Sequence, residues 1–304
     1  MRSRTTLVAV LATLAVAVSG SPASAITNGE PDGTNHPYVG MMEALNANGV
    51  PLQVCSGSLV APTVFLTAGH CVTHPAAARA AIWFAPGPIE VDIDYLLRLF
   101  LDPTFSGSCN ESPLFDGYPC KGDTAGVVHA APGFCFKCGG GLQNEVTRDV
   151  AVVKLDQPVP ASVVSRFAQL PEPGDVDALP QGGPVDFVGY GQSFQFDIAG
   201  KWVGKPPPSS RWAGAGTRRY APSEAIMGEF ANSDEFLRLS LNGSDADGGG
   251  GLCFGDSGGP DLRGGTDTVL AVNSYVTNYN CRGVGYSQRV DIPDVLAWIR
   301  GFID

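Results

Sequence analysis

Basic residues are scarce in this chain: 19 lysines and arginines face 30 aspartates and glutamates, a formal charge of −11 over 304 residues. A chain of that sign opposes the phosphate backbone, so nucleic acid is excluded as a partner. The acidity itself reads as a solubility feature. Long apolar runs are also missing. The best of them, Leu7 to Val18, spans about a dozen residues, against the roughly 20 that cross a bilayer, so no membrane anchor is expected. Internal repeats are absent, and only four histidines are available for acid–base work.

Arg2 and Arg4, the apolar run, and the small residues Ala23-Ser24-Ala25 together read as an export signal over residues 1–25. Its removal leaves residues 26–304, enough for one large all-β unit or two packed barrels. All eight cysteines follow the signal, and an even number in an exported chain points to disulfides and a secreted, oxidising setting. The 39 glycines and 24 prolines punctuate short alternating runs such as Val150–Leu155 and Val185–Tyr190, the pattern of many short antiparallel strands. Residues 156–183 read as a connection between two halves. Residues 102–141 hold Cys109, Cys120, Cys135 and Cys138 and read as a long stapled loop. One segment changes period: Ile292, Val295, Leu296, Ile299 and Phe302 recur at helical spacing, with Asp291 as N-cap, which predicts an amphipathic helix over 292–303.

Three segments carry chemistry. In Gly255-Asp256-Ser257-Gly258-Gly259-Pro260, glycines flank a serine and permit a tight turn that exposes its hydroxyl and aims the Gly255 and Ser257 N–H groups at one point. A glycine-flanked serine is by itself more often structural, so a base and an orienting acid are needed. Thr67-Ala68-Gly69-His70-Cys71 offers the base, since an imidazole titrates near neutrality. Asp149 opens the apolar strand Val150–Val153, where a carboxylate can be buried beside the histidine and set its tautomer.

Taken together and in this order, TAGHC, a strand similar to DIALL and GDSGGP resemble the chymotrypsin-like (trypsin-type) serine protease family, in its secreted bacterial-type form. The resemblance covers residues 26–304 apart from the stapled loop. It implies two packed six-stranded antiparallel β-barrels, the first over about 26–155 and the second over about 184–290, with a C-terminal helix and a cleft between the barrels. It implies a triad of His70, Asp149 and Ser257, an oxyanion hole of Gly255 and Ser257, and disulfides Cys55–Cys71 and Cys253–Cys281. Ser274 resembles the serine that contacts the triad aspartate. A freed Ile26 amine would pair with Asp256, and Ile26 directly follows the signal cleavage site, so signal removal itself would create the activating terminus.

The pocket departs from the trypsin pattern: Gly251 stands where those enzymes carry an aspartate, and Val276 is a valine, as in elastase-like relatives. With Ser274 and Tyr275 these residues imply a preference for a small or medium apolar residue, not Arg or Lys. Asp261 replaces the family's usual apolar residue, as a bulge or as a charge tuning the pocket. Gly283 and Gly285 both remain candidates for the second wall. The loop cysteines allow three pairings, of which Cys109–Cys120 and Cys135–Cys138 close the shortest loops. Disulfides are favoured there over zinc. Glu90, Asp92 and Asp94 alternate as on a strand face and read as solvated, the alternative being the family's calcium loop. No metal or cofactor is expected. The expected partners are protein or peptide substrates, with a protein inhibitor as a further candidate. The competing functions are a catalytically silent binding module and an esterase using the same triad.

Overall fold

A computed structural model describes residues 26, 29–136, 146–191, 194–196, 211–213, 216–226, 234–242, 250–277 and 281–303. The expected signal and Cys138 lie outside them. In chain order come β1 (Glu30–Pro31), β2 (Val39–Leu45), β3 (Pro51–Ala61), β4 (Val64–Thr67), the one-turn helix α1 (His70–Thr73), β5 (Arg79–Trp83), α2 (Ile93–Leu101), β6 (Thr124–Ala130), β7 (Cys135–Phe136), β8 (Val146–Thr147) and β9 (Ala151–Leu155). The second half holds β10 (Pro184–Gly189), β11 (Phe194–Phe196), β12 (Arg211–Ala213), β13 (Arg219–Glu224), β14 (Phe236–Ser240), β15 (Pro260–Arg263), β16 (Val269–Val276), β17 (Val284–Arg289) and α3 (Pro293–Arg300). Residues 156–183 form turns that carry the chain between the halves.

The first half closes into a six-stranded antiparallel barrel in the order β2-β3-β4-β9-β6-β5. Its strands are rich in β-branched residues, and Val64, Phe65, Leu66, Val152 and Val153 are fully buried. Gly57 is required here because a Cβ would lie 2.3 Å from the Phe65 ring. The second half is a half-barrel and not the second closed barrel expected: a seven-stranded sheet in the order β1-β13-β10-β15-β16-β17-β14. Across the opening, the ends of β13 and of the edge strand β14 meet at the isolated bridge Ala225–Leu239 and at the Ile226 N–H, which donates to the Arg238 carbonyl.

The extra strand is β1, which leaves the first barrel's sequence range and pairs with β13 in the second sheet. Its crossing is secured by a buried ion pair. Arg218 Nε donates to Asp32 Oδ2 at 2.8 Å, and the remaining guanidinium N–H groups donate to the carbonyls of Gly33, Val39 and Phe84. Both side chains are essentially inaccessible, so the pair is a locking device whose members depend on each other.

Several local expectations differ from the structure. The C-terminal helix spans Pro293–Arg300 and then turns, packing Val295, Leu296 and Ile299 into the core shared with the first barrel. Its N-cap is Ile292, because Asp291 is committed elsewhere: it is buried, ion-paired to Arg289, and accepts the Val176 N–H. The supposed loop 102–141 contains β6, a barrel strand between β5 and β9. Asp92 lies on no strand. It is buried as the N-cap of α2, accepting the N–H groups of Tyr95 and Asp116, while Glu90 and Asp94 are exposed.

Replacing Arg218 by leucine leaves the buried Asp32 carboxylate to His36, whose ring and backbone N–H face it, and a loss of about 3 kcal/mol, the low end for a broken buried pair, is expected. Urea unfolding with disulfides intact measures it; an unchanged midpoint would show that the crossing is held by packing alone.

Candidate active site

The barrel register brings the first two candidate residues together. Strands β4 and β9 pair so that Thr67 lies opposite Ala151. His70, three residues beyond one, and Asp149, two residues before the other, therefore emerge at the same barrel end despite a separation of 79 in the sequence. Asp149 is fully buried. Its Oδ1 accepts the His70 backbone N–H at 2.7 Å and its Oδ2 lies 2.8 Å from His70 Nδ1. The Ser274 hydroxyl donates to the same Oδ2, and the Asp149 N–H donates to Gln288 Oε1 at 2.9 Å. Because a carboxylate only accepts, His70 Nδ1 carries the proton and Nε2 is left with its lone pair.

Electrostatics follow from this contact. Burial raises the Asp149 carboxyl, but the charge and hydrogen bonds of His70, with Ser274, outweigh it and hold Asp149 below its ordinary range. Burial opposes the imidazolium of His70, and the Asp149 charge and hydrogen bond overcome that and raise it above its ordinary value. Each shift is the other's cause.

The segment around Ser257 is a tight turn anchored from both halves. Gly255 has φ +94° and Gly258 φ +79°, a region that favours glycine. At Gly258 a Cβ would stand 2.1 Å from Thr67 Oγ1. The Ser56 N–H donates to the Ser257 carbonyl at 2.8 Å, and the Ser56 hydroxyl donates to the Gly255 carbonyl at 2.9 Å. Among the described residues, no acceptor takes the N–H of Gly255 or of Ser257. Below the turn, Asp256 is fully buried and accepts the N–H groups of Gly191 at 2.8 Å, Cys253 at 2.9 Å and Ile26. Burial raises its carboxyl to about 7, these three donors acting in the opposite direction. Ile26 is also fully buried, with φ +55°.

One pocket of about 240 Å³ is lined by His70, Asp149 and Ser257 together with Leu252, Cys253, Phe254, Asn273, Ser274, Tyr275 and Val276, and by Phe136 and Val146 from β7 and β8. The end of the stapled region thus borders the cleft. Gly251 does not line this pocket; it packs against Leu241, and Leu252 takes its place. Gly285 lies behind Leu252, close enough that a Cβ would touch the Leu241 and Leu252 side chains. Disulfides join Cys55 to Cys71, Cys109 to Cys120 and Cys253 to Cys281. Cys135 is disulfide-bonded as well. Sequence reasoning passed over Ser56, Leu252, Asn273, Phe136, Val146 and Gln288, which belong to no local motif and gain meaning only from neighbours distant in the chain.

The sequence model of the Trypsin family matches residues 141–299. The chain is 25% identical to a chymotrypsin-like elastase family member 3B of Macaca mulatta, covering 94% of this chain and 93% of that one. It is 22% identical to a proproteinase E of Bos taurus, covering 93% and 94%. Among solved structures, HL collagenase matches with a TM-score of 0.60 at 17% identity over 91% of this chain and 97% of its own. Human heparin binding protein matches at 0.54 and 16% identity, over 91% and 96%. With the Trypsin model spanning more than half its length, this chain belongs to the trypsin family, the chymotrypsin-like serine endopeptidases.

Proposed function

We propose that Ser257 is the nucleophile of this endopeptidase, that His70 Nε2 takes its proton and passes it to the leaving amine, and that Asp149 orients and stabilises the imidazolium. The observation that carries the reading is the buried Asp149 carboxylate gripping both the backbone and the ring of His70, in a pocket shared with Ser257. Positive charge formed on the imidazole during attack meets a fixed negative charge 2.8 Å away, in a setting with little water to screen it. The N–H groups of Gly255 and Ser257, left without acceptors among the described residues, are the donors for the oxyanion.

Substrate is read as binding partly by strand addition. Strand β15 pairs with β16 only as far as Val272, so the same edge at Ser274–Val276 is open among the described residues to an extended peptide. The side chain before the scissile bond would meet Leu252, Asn273 and Val276, and among the described residues the only carboxylate in the pocket lining is Asp149, already engaged by His70, which favours a small or medium apolar residue over Arg or Lys.

Export through the 1–25 signal, with cleavage before Ile26, completes the reading. In the uncut chain the donors that hold Asp256 among the described residues are amides. An ammonium at Ile26 would supply the missing charge, and cleavage would also remove the constraint that holds a β-branched residue at φ +55°. The peptidase unit then runs from 26 to 304.

A fluorophosphonate probe is expected to label Ser257, and Ser257→Ala to abolish labelling; a folded chain that resists the probe would favour a silent binding module. Asp149→Asn is expected to lower kcat by about 10⁴, the size typical of this triad when the wrong tautomer is held. Peptide-library profiling checks the pocket, and a preference for Arg or Lys would refute it. Stability gives a further test. Asp256 ionises at about 7 when folded and near 3.8 when unfolded, so the chain still joined at Ile26 loses stability as pH rises from about 4 to 7, by on the order of 4 kcal/mol. Asp256→Asn should abolish that part of the slope in urea titrations, and a start at Ile26 should reduce it.

A further inference from the structure

Ser56 lies midway along β3 in the closed barrel, completely buried, and it lines no part of the pocket. Every polar group it owns is nonetheless committed. Its N–H donates to the Ser257 carbonyl at 2.8 Å, and its own carbonyl accepts the Thr67 hydroxyl at 2.8 Å. Its hydroxyl donates to the Gly255 carbonyl at 2.9 Å and accepts the Tyr190 N–H at 3.0 Å. The direction of both hydroxyl bonds is fixed, because a carbonyl only accepts and an amide N–H only donates. Ser58, two residues along the same strand, gives the contrast: it is equally buried, and its hydroxyl has no partner among the described residues.

The turn that Ser56 meets is flanked by glycines, with Gly255 at φ +94° and Gly258 at φ +79°. Glycine places few steric limits on its own backbone, so bonds from outside have to hold the peptide planes between the two. Three planes join Gly255 to Gly258. In the first, the Ser56 hydroxyl holds the Gly255 carbonyl, and the Cys253 carbonyl takes the Asp256 N–H at 3.1 Å. In the third, the Ser56 N–H holds the Ser257 carbonyl, and the Asn273 carbonyl takes the Gly258 N–H at 2.7 Å. In the middle plane the Asp256 carbonyl accepts Asn273 Nδ2 at 3.1 Å and the Gly259 N–H at 2.9 Å.

Among the described residues one group of the three planes is left without a partner, the Ser257 N–H on the opposite edge of the middle amide. Ser56 therefore grips the planes on both sides of the amide that presents this donor. Its contact is close as well as polar: a Cβ at Gly258 would stand 2.6 Å from the Ser56 carbonyl oxygen. Thr67, which pins that carbonyl, is three residues before His70, so the strand that leads to the base also braces the residue that holds the turn.

We infer that Ser56 is a positioning residue for the oxyanion: its hydroxyl, acting through the Gly255 carbonyl, keeps the turn in the conformation that aims the Gly255 and Ser257 N–H groups at one point. The hydroxyl belongs to the closed barrel and the turn to the half-barrel, so the seating of one half on the other is transmitted to the oxyanion site. The inference rests on Ser257 as nucleophile.

The test compares Ser56→Ala with Ser58→Ala, each counted by fluorophosphonate titration so that only competent sites enter. Ser56→Ala should lower kcat about tenfold and leave KM within about twofold, a smaller loss than the hundredfold or more that follows removal of an oxyanion donor. Binding of a peptidyl boronate, which mimics the tetrahedral intermediate, should weaken by the same factor, and the acid limb of kcat/KM, set by His70, should stay in place. Ser58→Ala should leave kcat, KM and boronate affinity unchanged. A Ser56 hydroxyl that only supports the fold predicts a lower urea midpoint with kcat and boronate affinity unchanged, and that result overturns the inference. A rise in KM at constant kcat, or an equal loss in Ser58→Ala, overturns it too. If Ser56→Ala does not fold, Thr67→Val, which releases the Ser56 carbonyl at nearly constant volume, is read in the same way. Failure of the unaltered chain to label at Ser257 would reject the nucleophile instead, and is seen before any variant is made.

Discussion

A single carboxyl group, that of Asp256, sits fully buried where the N-terminal segment, the β10 end and the Ser257 turn converge. Three backbone N–H groups, from Ile26, Gly191 and Cys253, converge on it. The surroundings are built to admit it. A Cβ at Gly189 would lie 2.2 Å from Oδ1, and one at Gly191 would lie 2.5 Å from the Asp256 N–H nitrogen. The backbone of residues 253–259 folds over this point, and the candidate chemistry is set by how that backbone is held.

The two halves of the molecule contribute unequally. The closed barrel supplies rigidity: the pairing of β4 with β9 fixes where His70 and Asp149 emerge, and packing keeps Asp149 dry enough for its hydrogen bonds to be strong. The half-barrel supplies the turn, the open edge at Ser274–Val276 and the pocket. Ser56 and Ser274 stitch the halves together at the cleft, one holding the Ser257 turn and the other the Asp149 carboxylate.

How much was legible in the sequence depended on whether the cause was local. His70, Asp149 and Ser257 stood out because each lies in a short segment whose residues have to be of certain kinds for chemical reasons. The antiparallel strands followed from alternation, and the closed barrel from the family resemblance. The half-barrel did not, because whether β13 and β14 pair along their length or meet at one bridge depends on twist summed over the whole sheet. The α2 helix was hidden by the alternation of Glu90, Asp92 and Asp94, although Asp92 at the head of Ile93–Leu101 is a capping signal. β6 was hidden by the glycines and cysteines on either side of it. Asp291 had the right identity for a cap, but a buried arginine two residues away competed for it.

From the sequence alone came the family, the triad candidates and the candidate activation pair of Ile26 and Asp256, because these are requirements on residue type at positions close in the chain or fixed by motif order. Only the tertiary structure decided that Leu252 and not Gly251 lines the pocket, that β1 joins the second sheet, and that the Ser287 hydroxyl meets Asn273. Those two lie on β17 and β16, and their meeting comes from strand register, which no short stretch of sequence specifies.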